Sequence, residues 1–139
     1  ALADRHATDV AFCFNRKEAK EHGEGGSLVG KKLVDGDRVL IVEDVTTAGT
    51  SIRETVPILQ GAAQVELAGL IVSVDRMERG TGDKGALAEI QDSFGMKTAF
   101  IVNLEEIVTY LHNRELNGTV VLDDEIKGRI DEYRAQYGC

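Results

Sequence analysis

Val39, Leu40, Ile41 and Val42 form an uninterrupted apolar run that ends in two carboxylates, Glu43 and Asp44. Val45 then leads into small and hydroxyl-bearing residues: Thr46, Thr47, Ala48, Gly49, Thr50 and Ser51. A short apolar run of this kind predicts a strand buried on both faces, as in the parallel sheet of an α/β domain. Small residues leading into a helix direct several backbone N–H groups at one point, where the helix dipole favours an anion. Carboxylates beside such a cradle would repel the anion, so they must face another part of the ligand. Ionised carboxylates are strong acceptors for O–H donors such as sugar hydroxyls. A phosphorylated sugar is the simplest ligand with both features. Many strand-to-helix turns carry Asp, Gly and Thr with no ligand; the acidic pair and the loop in this order favour the ligand.

The segment resembles the phosphoribosyl-diphosphate motif of type I phosphoribosyltransferases. That resemblance implies that Glu43 and Asp44 hold the 2- and 3-hydroxyls of the ribose. It implies that Val45, Thr46, Thr47, Ala48, Gly49, Thr50 and Ser51 wrap the 5-phosphate with backbone amides and hydroxyls.

Upstream, Val10 to Phe14 are apolar and predict a buried strand. The chain then turns charged and glycine-rich, with no sustained apolar period through Gly30, which predicts a functional loop. Arg16, Lys17, Lys20 and His22 gather four potential cations in an otherwise acidic chain. Such an arm can fold over a highly charged anion, exclude water and stabilise developing charge. Most Lys/Glu runs are merely solvated, but the glycines and His22 fall at matching spacing in a known signature. Asn15-Arg16-Lys17-Glu18-x-Lys20-x-His22-Gly23-x-Gly25-Gly26 resembles the catalytic loop of the orotate phosphoribosyltransferase family. Carried over, Arg16, Lys17, Lys20 and His22 contact the diphosphate, and Lys20 is the strongest candidate for direct catalytic help. The family also implies a homodimer in which the 16–30 loop reaches the neighbouring subunit's site.

A third match closes the apolar run Leu67–Val74 with Asp75-Arg76-Met77-Glu78-Arg79-Gly80. In the family the Arg of the Asp-Arg pair, here Arg76, reaches the carboxylate of orotate, and a planar guanidinium fork suits that role. By the same resemblance Thr47 touches orotate. Residue type alone leaves a second role open for Arg76 and Arg79, surface pairing with Glu78 and Asp83.

The expected fold class is α/β: a mostly parallel sheet flanked by helices, the type I phosphoribosyltransferase core, with residues 1–139 as one domain. Ala1–Ala7 suggest the tail of a helix, and strands are expected at Val10–Phe14, Arg38–Asp44, Leu67–Val74 and Thr98–Val102. Ile52, Val56 and Leu59 share a helical face, although Pro57 predicts a kink or an early end to regular hydrogen bonding. Leu87, Ile90 and Phe94 mark a short helix; Leu104, Ile107, Val108 and Leu111 mark another. Asp123 is placed to cap a last helix with the stripe Ile126, Ile130, Tyr133 and Tyr137.

The net charge of −8 argues against nucleic acid as a partner. No apolar run approaches a membrane span, and nothing at the N-terminus resembles a signal peptide. Cys13 and Cys139 make neither a disulfide framework nor a metal-ligand spacing. A cytoplasmic enzyme fits, with no metal-ligating residues assigned in the chain and Mg²⁺ expected as cofactor on the diphosphate and sugar oxygens.

Two departures from the family stand out. Its members carry an N-terminal portion that covers orotate and supplies a further core strand and a lysine-bearing loop, so this chain is expected to be a portion of a longer protein. The acidic pair is Glu-Asp where many relatives have Asp-Asp, an exchange that keeps a carboxylate at each place. The implied reaction is a pentosyl (glycosyl) transfer from phosphoribosyl diphosphate to orotate, in pyrimidine biosynthesis. Glu43, Asp44 and Lys20 are its expected catalytic residues. The rivals are another type I phosphoribosyltransferase, which would lack the 14–26 loop, and a non-catalytic phosphoribosyl-diphosphate-binding fragment or regulator.

Overall fold

The computed structural model describes residues 2–16 and 28–139, which fall into two compact units. The larger unit, residues 38–54 and 66–139, is built on three parallel strands in the order β3-β4-β5. These are β3 (Arg38–Thr46), β4 (Glu66–Asp75) and β5 (Lys97–Asn103). β3 runs two residues beyond the expected Asp44, because Val45 pairs with Val74 and Thr46 with Asp75. The register shifts between Val39 and Leu40, where Ala68 is the extra residue on β4.

Strand periodicity divides the sheet into two unlike faces. Ile41, Leu70 and Val72 lie on one face and are buried with Ile52, Ile90 and Met96 of the same unit. On the other face, Leu40 is half exposed, Val42 is 72% exposed and Ile101 is 75% exposed. The expectation that the Val39–Val42 run is buried on both faces is therefore corrected. β3 is an edge strand with one covered face among the described residues, and a continuous apolar run cannot indicate which of its faces is covered.

Helix α2 (Thr50–Ala62) starts in this unit and continues into the smaller one. Of the two outcomes expected at Pro57, a kink or an early end, the early end does not occur: the helix runs on to Ala62. Ile52, Val56 and Leu59 are all buried, as the periodicity predicts. Burial of such side chains is worth roughly 1.5–3 kcal/mol apiece, against about 3 kcal/mol for a proline inside a helix. Helix α3 (Ala86–Phe94) buries Ala86, Leu87 and Ile90 and closes on Gly95 in the left-handed conformation. Helix α4 (Leu104–Leu111) opens with a reciprocal cap: the Asn103 side chain accepts from the Glu106 N–H, and the Glu106 carboxylate accepts from the Asn103 N–H.

A two-residue turn, Asn117-Gly118, joins the short strands β6 (Glu115–Leu116) and β7 (Thr119–Val120), with positive φ at both turn residues. This is the backbone that Asn-Gly favours in a tight hairpin. Asp123 caps helix α5 (Asp124–Tyr137) as expected, accepting from the Ile126 N–H at 2.9 Å. The α5 stripe of Ile126, Ile130, Tyr133 and Tyr137 stays partly exposed rather than forming core.

The smaller unit, residues 1–37 and 55–65, holds α1 (Leu2–His6) and an antiparallel pair, β1 (Cys13–Asn15) with β2 (Leu28–Gly30). The expected buried strand Val10–Phe14 is corrected here: Val10 and Phe12 are exposed and only Cys13–Asn15 pair, antiparallel. An apolar run favours extended backbone but does not choose the strand's partner or direction. Both cysteines are free.

Candidate active site

In open parallel sheets, ligands collect beyond the carboxyl ends of the strands. Three such ends meet in the larger unit. Thr46 pairs with Asp75, and Asp75 with Asn103, so the turn 47–49, the Asp75-Arg76 step and the Asn103 cap lie side by side.

Thr47, Ala48 and Gly49 form the turn, and Thr50 begins α2. Gly49 adopts φ +77°, and a Cβ placed on it would stand 2.7 Å from Cδ1 of the fully buried Ile90. Only glycine meets both conditions without strain. Arg53 N–H donates to the Gly49 carbonyl at 3.1 Å, closing the first helical turn. Thr47 and Thr50 are exposed, while Ala48 and Ser51 are half-buried. Thr46 differs: it is 2% exposed, and its hydroxyl has no hydrogen-bond partner among the described residues. A buried hydroxyl is poorly placed to receive a phosphate.

Glu43 and Asp44 precede the turn on opposite sides of β3, as successive strand residues must. Glu43 is half-buried on the packed face, in register with Val72. Asp44 is exposed on the open face, and its Oδ1 accepts from the Val45 N–H at 2.6 Å. Among the described residues no group of three His, Cys, Asp or Glu side chains is placed to hold a metal.

Arg76 sits one residue past the strand end. Its guanidinium donates to the Tyr133 hydroxyl at 2.9 Å, pairs with Glu78 at 2.6 Å, and lies 5.6 Å from the Tyr133 ring centroid. Tyr133 in turn donates to Glu78 at 2.9 Å. Acceptance by Glu78, with burial, raises the Tyr133 pKa above the ordinary phenol value. This three-membered network fixes the guanidinium while leaving further N–H donors in its fork. Arg76, Arg129 and Tyr133, with Leu104, Ile126 and Ile130, line a cavity of about 440 Å³. Its lining mixes apolar side chains with two guanidinium groups and one phenol.

The C-terminal residues fasten the segment after Arg76. Arg79 N–H donates to the Tyr137 carbonyl at 2.9 Å and Cys139 N–H to the Met77 carbonyl at 3.1 Å. The Arg79 side chain donates to the Gln136 carbonyl and not to Asp83. Met77 holds φ +55°, rare for a side chain of its size, with its N–H on the Asp75 carboxylate.

Arg16 is exposed just beyond β1, in the smaller unit. Lys17, Lys20 and His22 lie outside the described residues. Residues that sequence reasoning left out of the site are Tyr133 and Glu78, which hold Arg76, and Glu89, which holds Arg53. Tyr133 carried only the signal of a helical stripe, and Glu89 none.

The chain is an α/β protein in which a glycine turn and an arginine stand at neighbouring carboxyl ends of a parallel sheet. Residues 1–99 match the family described as the phosphoribosyl transferase domain, and the chain belongs to that family. It is 60% identical over 139 residues to the orotate phosphoribosyltransferase of Clostridium beijerinckii, covering 100% of this chain and 62% of that protein. Against the protein of the same name from Vibrio cholerae it is 49% identical over 138 residues, 99% of this chain and 61% of that one. The crystal structure of the Francisella tularensis orotate phosphoribosyltransferase superposes with a TM-score of 0.67 at 29% identity, over 99% of this chain and 61% of that chain. The chain thus spans about three-fifths of the relatives it matches. None of its helices, among the described residues, is long and apolar enough to cross a membrane.

Proposed function

We propose that this chain carries the phosphoribosyl-transfer core of an orotate phosphoribosyltransferase, acting in the cytoplasm on phosphoribosyl diphosphate and orotate. The observation that supports it most is the pairing of Thr46 with Asp75. It sets the glycine turn and Arg76 at neighbouring strand ends, so one molecule of ribose phosphate and one anionic base can meet there. High identity to relatives of that name supports the same choice.

In this reading Val45 to Ser51 take the 5-phosphate, chiefly through backbone N–H groups at the start of α2. Glu43 and Asp44 accept hydrogen bonds from ribose hydroxyls. Their charge also favours the cationic sugar that forms as the C1–O bond to diphosphate breaks and the C1–N1 bond to orotate forms. Arg76 and Thr47 hold orotate, Arg76 through its carboxylate. Arg16, Lys17, Lys20 and His22 shield and neutralise the departing diphosphate, from a loop of the neighbouring subunit in a homodimer.

Mg²⁺ fits this chemistry. Diphosphate and sugar oxygens are hard donors, and the ion is commonly held by substrate phosphates with one or two carboxylates rather than by an all-protein cage; Asp44, exposed on the open face of β3, is the carboxylate that would approach it. When bound, it neutralises charge on the diphosphate.

Arg76→Ala tests the assignment. The KM for orotate is expected to rise about tenfold or more, with the KM for phosphoribosyl diphosphate unchanged. Equal weakening for both substrates would place the base elsewhere.

A further inference from the structure

Glu89, on α3, gathers more hydrogen bonds than any role in helix packing requires. Its carboxylate accepts from the Thr81 N–H at 2.8 Å, the Thr81 hydroxyl at 2.9 Å, the Gly82 N–H at 2.7 Å and the Arg53 guanidinium at 3.0 Å. The donors come from two separate segments, α2 and the stretch before α3. Arg53 lies in the first turn of α2, and its N–H closes on Gly49. Thr81 and Gly82 belong to the segment that links Arg76 to α3. The next residue, Ile90, fills the space against Gly49. Among the described residues Glu89 is the acceptor of the Arg53 side chain, whose buried Nε has no partner of its own. Gly80 is packed so closely on the Glu89 carboxylate that a Cβ at that position would overlap it.

We infer that Glu89 is a positioning residue: through Arg53 it fixes the first turn of α2, and thereby the backbone N–H groups that receive the sugar phosphate. The inference rests on the phosphoribosyl reading of that turn. The physical argument is one of leverage. A phosphate cradle made of N–H groups works by preorganisation, because donors already aimed at the anion cost nothing to reorient on binding. Thr46 leads into the turn from a strand, but among the described residues no hydrogen bond from the turn's own side chains holds the helix start in place. Arg53 is the first side chain of α2 to be anchored by charge, and Glu89 and Ile90 together grip the turn at Arg53 and at Gly49. The Thr81 and Gly82 donors hold the Glu89 carboxylate itself in place, so that its charge is presented to Arg53.

The test compares wild type, Glu89→Gln, Arg53→Met and the double variant in the protein, by steady-state kinetics and by ribose 5-phosphate titration followed through the amide resonances of Gly49, Thr50 and Ser51. Glu89→Gln is expected to raise the dissociation constant of ribose 5-phosphate and the KM for phosphoribosyl diphosphate roughly tenfold, leaving the KM for orotate unchanged. Arg53→Met should do the same, and the double variant should be no worse than either single one. A purely structural role would lower the fraction of folded enzyme, and so kcat, with both KM values intact; that result overturns the inference. So does an additive double variant. If Glu89→Gln does not fold, Arg53→Met reads the link from its other end, and an unchanged ribose 5-phosphate affinity in it is equally fatal. Wild-type protein that binds ribose 5-phosphate away from the 49–51 amides would remove the phosphoribosyl reading itself, whereas binding at those amides with no change in either variant removes the role of Glu89 alone.

Discussion

Gly49 shows how narrowly a single position can be specified. An alanine there meets two penalties at once, the left-handed backbone and the overlap with buried Ile90. The first is worth about 1–2 kcal/mol and the second about 1–3 kcal/mol, so Gly49→Ala should lower unfolding stability by roughly 2–5 kcal/mol. Urea denaturation reads this directly, and a loss below about 0.5 kcal/mol would mean that the turn is not strained as drawn. Glu89 gives a pH signature at the same scale. Donation from the Thr81 and Gly82 N–H groups, helped by the Thr81 hydroxyl and the Arg53 charge, holds its pKa below the ordinary glutamate value. Because the folded pKa is depressed, its stabilisation is complete above about pH 4.3 and is lost as pH falls through the lower folded value. Wild type should therefore exceed Glu89→Gln in melting temperature at neutral pH, and the gap should close on acidification below that point. A gap independent of pH would assign the effect to shape rather than charge. The contrast between these two residues explains what the sequence could reveal. Gly49 stands inside a contiguous motif, so its role is local and legible. Glu89 acts on donors 7, 8 and 36 positions away, and no spacing rule links it to Arg53.

Among the elements, α4 carries the clearest local stop-and-start signal. Asn103 and Glu106 exchange two hydrogen bonds of 2.8 Å at the end of β5, so strand and helix meet with little connecting chain. Asn103→Ala should cost about 1 kcal/mol, seen as a lower melting temperature and as faster amide exchange in the first turn of α4. Unchanged exchange there would show that packing of Val108 alone holds the helix. Other elements follow the same division between local and distant causes. The Ile52–Val56–Leu59 face and the Asp123 cap depend on neighbours three or four residues apart, and both were legible. The Asn117-Gly118 hairpin was equally local, since that dipeptide is itself a turn signal, yet its flanking strands are only two residues long and carry no alternation to accompany it. Val10–Phe14 failed for the opposite reason. Its apolar content fixed an extended conformation, whereas pairing with Leu28–Gly30 depends on residues more than ten positions on. Likewise, Val42 and Ile101 are apolar and exposed, a state that reflects which layers cover the sheet and that no window of sequence contains.

At the scale of the whole molecule, the proposed chemistry divides between two parts of the chain that need not serve the same active site. The turn, the acidic pair and Arg76 belong to the larger unit, whereas Arg16 belongs to the smaller one, next in sequence to the segment that carries Lys17, Lys20 and His22. If that loop reaches across a homodimer, defects in the two parts must complement. Lys20→Ala should leave substrate binding nearly intact and slow turnover on the order of 10²-fold, the usual loss for one charge-stabilising donor. Asp44→Asn should weaken the sugar side of the site instead. When the two inactive variants are mixed and allowed to exchange subunits, half the dimers become hybrids. Each hybrid collects both defects in one site and leaves the other site whole, so activity should recover to about a quarter of wild type. A loop that served its own subunit would give no recovery at all, because every site would keep one defect. Sedimentation of the mixture establishes that exchange has occurred, and recovery should then rise with the hybrid fraction and fall when either variant is in large excess.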